Sequence, residues 1–304
     1  MPMNHRILRP LARPLLLDAV PGAAAAYSLR QLSNAYTGPV VTVRRSSDDA
    51  EADFKASEID DGTLAAFCGA GDGLVKTWHD QSGNNRDASQ ATAANQPKIV
   101  DSGSLVTESG KATLEFDGSD DVLTVPSSTS SFKFLHDGTL SAIFSALRFG
   151  NTSNPDSAYI AMGNNGGSTA KIGMSFFFDD RSAFSFSNKL NVFVGKGVSG
   201  QPVVNSTNND TFLPAVQTLL ALLLDVSNAS AGERVKAFVQ GAFVDEGNAS
   251  TATPSTAAAT HDLQIGANGN SAGHMLGTIS ELIIYPSDQS ANRERIEGDI
   301  AWYY

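Results

Sequence analysis

The sequence predicts an all-β sandwich with a short helix near each end. Apolar segments of four to ten or so residues recur roughly every ten residues, separated by clusters of Gly, Asn, Asp and Ser. Hydrophobic residues make up 41% of the 304, enough for a sizeable core, while charged residues make up only 17%. No repeat of fixed period is visible, which sets solenoids and propellers aside.

The elements follow in order. Pro21-Gly22 opens a predicted short helix over Ala23 to Asn34, with Ala24, Tyr27, Leu29 and Leu32 as its packing positions. Thr37-Gly38-Pro39 turns the chain into a strand, Val40 to Arg45, which Ser46 to Asp49 ends. Leu64 to Phe67 reads as a short helix closed by Gly69, and Leu74 to His79 as a strand. Asp80-Gln81-Ser82-Gly83-Asn84 is a tight turn: its side chains suit local backbone hydrogen bonds, and Gly83 can take positive φ. Strands follow at Ala112 to Phe116, Val122 to Val125, Thr139 to Phe149, Ala158 to Met162, Lys171 to Phe178, Ala183 to Phe186 and Leu190 to Val194. Val216 to Val226 is a long apolar run, expected to be central and covered on both faces. Gln240-Gly241 joins Arg234 to Val239 and Ala242 to Val244 as a hairpin. Asp262 to Gly266 and Gly277 to Tyr285 are the last strands. The chain ends in a helix, about Ser290 to Trp302, with Ile296 and Ile300 on one face and Arg293–Glu297 and Arg295–Asp299 paired on the outside.

Met1 to Leu17 differ from the rest. They hold Arg6, Arg9 and Arg13, no acid, and Pro2, Pro10 and Pro14, a spacing that forbids a regular helix. They are expected to form an extended arm that docks on an acidic neighbour, leaving 18–304 as the sandwich.

Composition also excludes function classes. A net charge of −11 argues against nucleic acid as a partner, because phosphate binding needs clustered Lys and Arg. The lone Cys68 cannot form an intramolecular disulfide and is expected to be a small buried residue. The five histidines are scattered, so no metal site and no cofactor are expected. No apolar run reaches a membrane span, and Leu15-Leu16-Leu17 is too short for a signal-peptide core, so synthesis without export is expected.

Three separated segments carry a resemblance. They are Ala26-Tyr27-Ser28 with Tyr36-Thr37-Gly38 and Val43 to Asp48, then Trp78 to Asn84, then Gly277 to Asp288 with the terminal helix. In this order the chain resembles the catalytic domain of the α-L-arabinofuranosidase B family over about 18–304. The resemblance implies a concanavalin A-like jelly-roll β-sandwich with short N-terminal and C-terminal helices. Leu114 to Asp121 is similar to laminin G-like members of that wider class. Val43 to Asp48 and Pro286-Ser287-Asp288 also resemble domains of tailed-phage virion proteins, in fibre, spike or decoration subunits.

The family's proton donor is an Asp after a Leu-x-Ile-Gly strand. Here that strand is Leu263 to Gly266, and Asn268 stands at the acid's position. An amide does not donate a proton to a leaving oxygen as a carboxylic acid does. The family's nucleophile is a Glu; the nearest match, Met174 to Asp180, offers only Asp179 and Asp180, which also suit a hairpin turn. No catalytic residue is therefore expected. Asp80 and Gln81 are expected to fix their turn, and Trp78 to be core. Candidate sugar contacts are Asn164, Asn165, Asp179, Asp180, Asn268, Asn270 and His274, mostly in Gly/Asn-rich loops.

The sequence-level expectation is a phage virion structural protein. It would be anchored to other virion proteins through residues 1–17, would be homo-oligomeric, and would show host-surface carbohydrate many weak sites at once. Alternatives are an active arabinofuranosidase-type hydrolase and an architectural decoration subunit without a ligand.

Overall fold

The computed structural model describes residues 13–150, 158–162, 172–179, 189–196, 203–206, 215–245, 254–268 and 273–304. The first half contributes α1 (Leu16–Ala19), β1 (Ala25–Ser28), β2 (Val41–Arg45), β3 (Glu51–Phe54), α2 (Ala56–Asp60), α3 (Thr63–Cys68), β4 (Gly73–Trp78), β5 (Ala88–Ser89), β6 (Lys98–Asp101), β7 (Ser104–Leu105), β8 (Thr107–Glu108), β9 (Lys111–Ala112), β10 (Leu114–Asp117), β11 (Leu123–Val125) and β12 (Ser141–Phe149). The second half contributes β13 (Ala158–Met162), β14 (Ile172–Asp179), β15 (Lys189–Lys196), β16 (Val203–Ser206), β17 (Thr218–Leu224), β18 (Val235–Val239), β19 (Ala242–Asp245), β20 (Leu263–Ile265), β21 (Leu276–Tyr285) and α4 (Arg293–Tyr303).

Antiparallel pairing arranges these strands in two ladders. The first runs β19–β18–β17–β12–β21, with β1 and β10 sharing the far edge of β21. The second runs β3–β2–β4–β5–β11–β20–β13–β14–β15–β16. Strand β6 bridges them, pairing with β4 and meeting β10 at Lys98–Glu115.

The main core lies between the ladders. Ile143, Leu147, Leu220, Leu222 and Leu224 from the first join Val43, Val75, Trp78, Leu123, Phe176 and Ile265 from the second. Phe149 stacks on Phe178 across the gap, ring centroids 4.6 Å apart. The alternate residues of the first ladder, Ala142, Phe144, Ala221, Ile283 and Tyr285, point the other way and bury Leu16 and Leu17 of α1 and Ile296 and Ile300 of α4. The helices thus form a third layer, and β17 is covered on both faces as expected.

One glycine is required by packing. Gly266 has φ +86°, and a Cβ there would lie 2.3 Å from the Phe116 ring. The β18–β19 hairpin turns on Gln240 and Gly241, both at positive φ, as the sequence predicts.

Three expectations need correction. The segment Ala23 to Asn34 is not a helix: it holds β1, all four residues buried. Tyr27 packs into the main core and Ala26 against the helical layer, so alternation between two cores overrides alanine's helix preference. The short N-terminal helix is α1 instead, and its Leu16 and Leu17 belong to the core rather than to an arm. Asp299 does not pair outward with Arg295: it is buried and takes Arg30 Nη1 at 2.8 Å and Arg13 Nη2 at 3.2 Å. The Arg293–Glu297 pair is present, with Glu297 itself buried.

Candidate functional site

The turn after β4 shows how the most distinctive segment of the sequence is spent. Asp80 Oδ1 accepts from the backbone N–H of Ala26 and of Ser82, both at 2.9 Å. The Gln81 amide donates to the carbonyls of Ser28 and Arg30 and accepts from Leu32 N–H. Asn84 and Arg86 add bonds to the carbonyl of Ala24. These groups fasten β1 and the chain after it, where a neighbouring strand is missing on that side. Trp78 is fully buried, and Cys68 is a buried free thiol.

The polar outer face of the second ladder is the candidate site. Asp53, Thr42, Thr77, Ser89, Thr124 and Gln264 are paired directly, strand to strand, from β3 to β20. Their neighbours Val41, Val43, Trp78, Leu123, Val125, Leu263 and Ile265 fill the core, so this row faces outward. At about 4.8 Å per strand it runs roughly 24 Å. Through β13 the register continues to Ser175, which is fully buried. Its Oγ has no hydrogen-bond partner among the described residues.

At the β3 end of the row, Thr42 Oγ1 donates to Asp53 Oδ1 at 2.6 Å and lies 2.8 Å from His79 Nε2. His79 Nδ1 lies 2.9 Å from Asp87 Oδ2. Burial opposes charge on Asp87, but the His79 ring and the Asp80 N–H hold its carboxyl below the usual range.

Strands β14 and β20 run in the same direction, with β13 antiparallel between them. Gln264 and Ser175 lie on one row, so Asn268 and Asp179, each four residues further on, leave the ladder at the same end. Two strand spacings, about 10 Å, separate their paths. Asn268 is buried. Asp179 closes β14 opposite Lys189 in register. His274 Nδ1 sits 3.3 Å from the Asp121 carbonyl at this same end. Asn164, Asn165, Asp180 and Asn270 lie outside the described residues, as do Arg6, Arg9 and the predicted strand at Ala183 to Phe186. Arg13 is described: it pairs with Asp299 and lies over the Trp302 ring.

Asp117 to Asp121, which the sequence marks only as a turn between strands, lie beside His274 with their acids clustered. Carboxylate oxygens of Asp117, Asp120 and Asp121 lie within 4.8 Å of one another. They sit side by side in one turn rather than facing each other across a cleft, and three acids alone do not define a cation site. Burial, with the neighbouring Asp117 and Asp120 charges, pushes the Asp121 carboxyl up to about 7 despite a bond from Asp117 N–H. An acid whose folded pKa is raised binds its proton more tightly in the native state. Its cost is absent below the unfolded value near 4, and stability falls as pH rises from there to about 7. Asp121→Asn should therefore raise stability at pH 8 by on the order of 2–4 kcal/mol and flatten the decline between pH 4 and 7. Denaturant midpoints across that range check this; an unchanged pH slope would contradict it.

The two packed antiparallel ladders define an all-β, concanavalin A-like sandwich. The family model described as alpha-L-arabinofuranosidase B, catalytic, matches residues 17–121, about a third of the chain. A solved arabinofuranosidase complexed with arabinofuranosyl-alpha-1,2-xylobiose aligns over 94% of this chain, at 14% identity and TM-score 0.60. A GH54 a-l-arabinofuranosidase soaked with a cyclic sulfate inhibitor aligns over the same share at 15% identity and TM-score 0.60. This chain spans 64% of the length of each. At such identities the likeness is one of fold. No curated protein matches the chain.

Proposed function

We propose that the outer face of the second ladder holds carbohydrate without cleaving it. The observation that carries this is the transverse row of hydroxyl and amide groups from Thr42 to Gln264. Sugars are recognised by such groups. Hydrolysis needs two carboxyl groups about 5–5.5 Å or 6.5–9.5 Å apart on either side of the bond. At the end of the ladder where Asp179 emerges, the residue beyond β20 is an amide, Asn268, and the acids nearby, Asp117, Asp120 and Asp121, sit together in one turn.

In its finer form the reading is a phage virion subunit. Residues before the sandwich anchor it to other virion proteins, and repeated copies present weak sites to a host-surface glycan. Removing residues 1–12 keeps Leu16 and Leu17 in the core, so the truncated protein should fold but fail to enter particles. Normal incorporation would defeat the anchoring role.

The match of residues 17–121 to an arabinofuranosidase model favours a second reading, an active hydrolase, which would use Asp179 or Asp180 with another acid. Incubation with an aryl α-L-arabinofuranoside decides between them. We expect no turnover above background, with retention on a glycan array that weakens at least tenfold in Thr124→Trp. Turnover that disappears in Asp179→Asn or Asp180→Asn would overturn the non-hydrolytic reading.

A further inference from the structure

A cleft of about 410 Å3 opens between α1 with the turn after it, the chain at Ser33 to Tyr36, and the turn Gln81 to Gly83. It is not part of the polar row. Strand β4 runs antiparallel to β20, so Gln81 leaves the second ladder at the end opposite to Asn268. The cleft's size falls within the about 300–1,000 Å3 of small-ligand sites.

Its walls are fixed before any ligand arrives. The Tyr36 hydroxyl donates to the Pro39 carbonyl, which holds the ring in place. Burial, then the nearby acids Asp87, Asp80 and Asp53, push the Tyr36 hydroxyl up to about 12, so the ring is neutral at working pH. On the other side Asp18 accepts from Ser33 Oγ at 2.7 Å and from the backbone and side-chain amides of Asn34. The Ser33 bond leads in holding its carboxyl below the usual range. Leu17, Pro21 and Ala23 supply apolar surface.

These features select a chemistry. A fixed carboxylate repels phosphates and carboxylates. Its oxygens are already engaged by Ser33 and Asn34, so it is a poor trap for a lone amine. The Gln81 and Ser82 N–H groups are engaged within the protein, so the turn offers a ligand its carbonyls; with an aromatic wall and apolar surface they suit a neutral polyol, which has hydroxyls to donate and one C–H face. We propose that this cleft takes a single neutral sugar ring, as a second site separate from the polar row. The proposal rests on carbohydrate being the ligand of this protein.

The test uses the full chain and saturation-transfer NMR with L-arabinose, D-xylose, D-galactose and D-glucose, with methylammonium as a cationic control. Ala35→Trp fills the cleft from an exposed position, Pro21→Trp fills it from the other wall, and Thr124→Trp blocks the polar row. Unchanged circular dichroism shows which variants fold. At least one sugar should bind, with affinity at least tenfold weaker in a folded cleft variant and within twofold of the parent in Thr124→Trp. Loss confined to Thr124→Trp would overturn the cleft and leave the polar row standing. Loss in both kinds of variant would mean one joint site and overturn the separation. No sugar binding, or binding of methylammonium alone, would overturn the cleft as a sugar site; continued glycan-array retention would then leave the broader carbohydrate reading intact.

Discussion

Arg30→Met is expected to lower the unfolding free energy by about 3–5 kcal/mol, because it leaves buried Glu281 without a cation and Asp299 with Arg13 alone. Arg30 is 8% exposed, and Glu281, in the middle of β21, is fully buried. The guanidinium meets Glu281 through two bonds, Nε to Oε2 at 2.8 Å and Nη2 to Oε1 at 2.9 Å, while Nη1 reaches Asp299. Burial works against the charge on Arg30, and Glu281 and then Asp299 overcome it, so its proton is held more tightly than usual. Ser28 Oγ also donates to Glu281, and the Tyr303 ring lies under the guanidinium. The pair therefore ties β1, β21 and α4 together. At roughly 2–4 °C per kcal/mol, the melting temperature should fall by about 6–20 °C. Arg30→Met with Glu281→Gln should recover part of the loss, since the removed cation no longer leaves Glu281 charged and alone. A single variant as stable as the parent would show that the network contributes nothing net.

Asp80→Ala is expected to cost a similar amount, about 3–5 kcal/mol, by releasing β1. The carboxylate accepts from Ala26 N–H across 54 residues of chain, and from Ser82 N–H, Ser82 Oγ and Arg86 N–H within its own turn. Its removal leaves the buried Ala26 N–H without that acceptor, at about 1–3 kcal/mol for such a group, and loosens the turn that also holds Gln81. Hydrogen exchange should report the damage locally, with faster exchange at Ala26 and Leu32 than in β12. Uniform exchange across the sandwich would mean that Asp80 acts on global stability alone.

Much of the strand framework was legible in the sequence because a half-buried strand must alternate and must end in turn residues. Val41–Arg45 and the Gln240–Gly241 hairpin follow that pattern, whereas Ser141–Phe149 and the ten-residue β21, buried on both faces, read instead as long apolar runs. The role of Asp80 in its turn was legible too, since an acid beside a turn bonds to nearby backbone; Gln81 instead spans to Ser28, Arg30 and Leu32, which only the fold brings near. The candidate face was not legible. Thr42, Thr77, Ser89, Thr124 and Gln264 span 223 positions of sequence and are ordinary outward residues of separate strands. Only register brings them into one row. The acidic turn at Asp117 to Asp121 could have been noticed from its spacing alone, but not the burial that singles out Asp121.

From residue order alone came the layered all-β class, the buried thiol, the β4 turn and the amide at position 268, because alternation, turn chemistry and side-chain identity are local properties. The tertiary structure decided the rest. It turned an alanine-rich stretch into β1 and moved Leu16, Leu17 and Asp299 inside, because a third layer of helices buries the back of the first ladder. It also separated the polar row from the cleft, because strand direction, which no local pattern encodes, sends Asn268 and Gln81 to opposite ends of the sandwich.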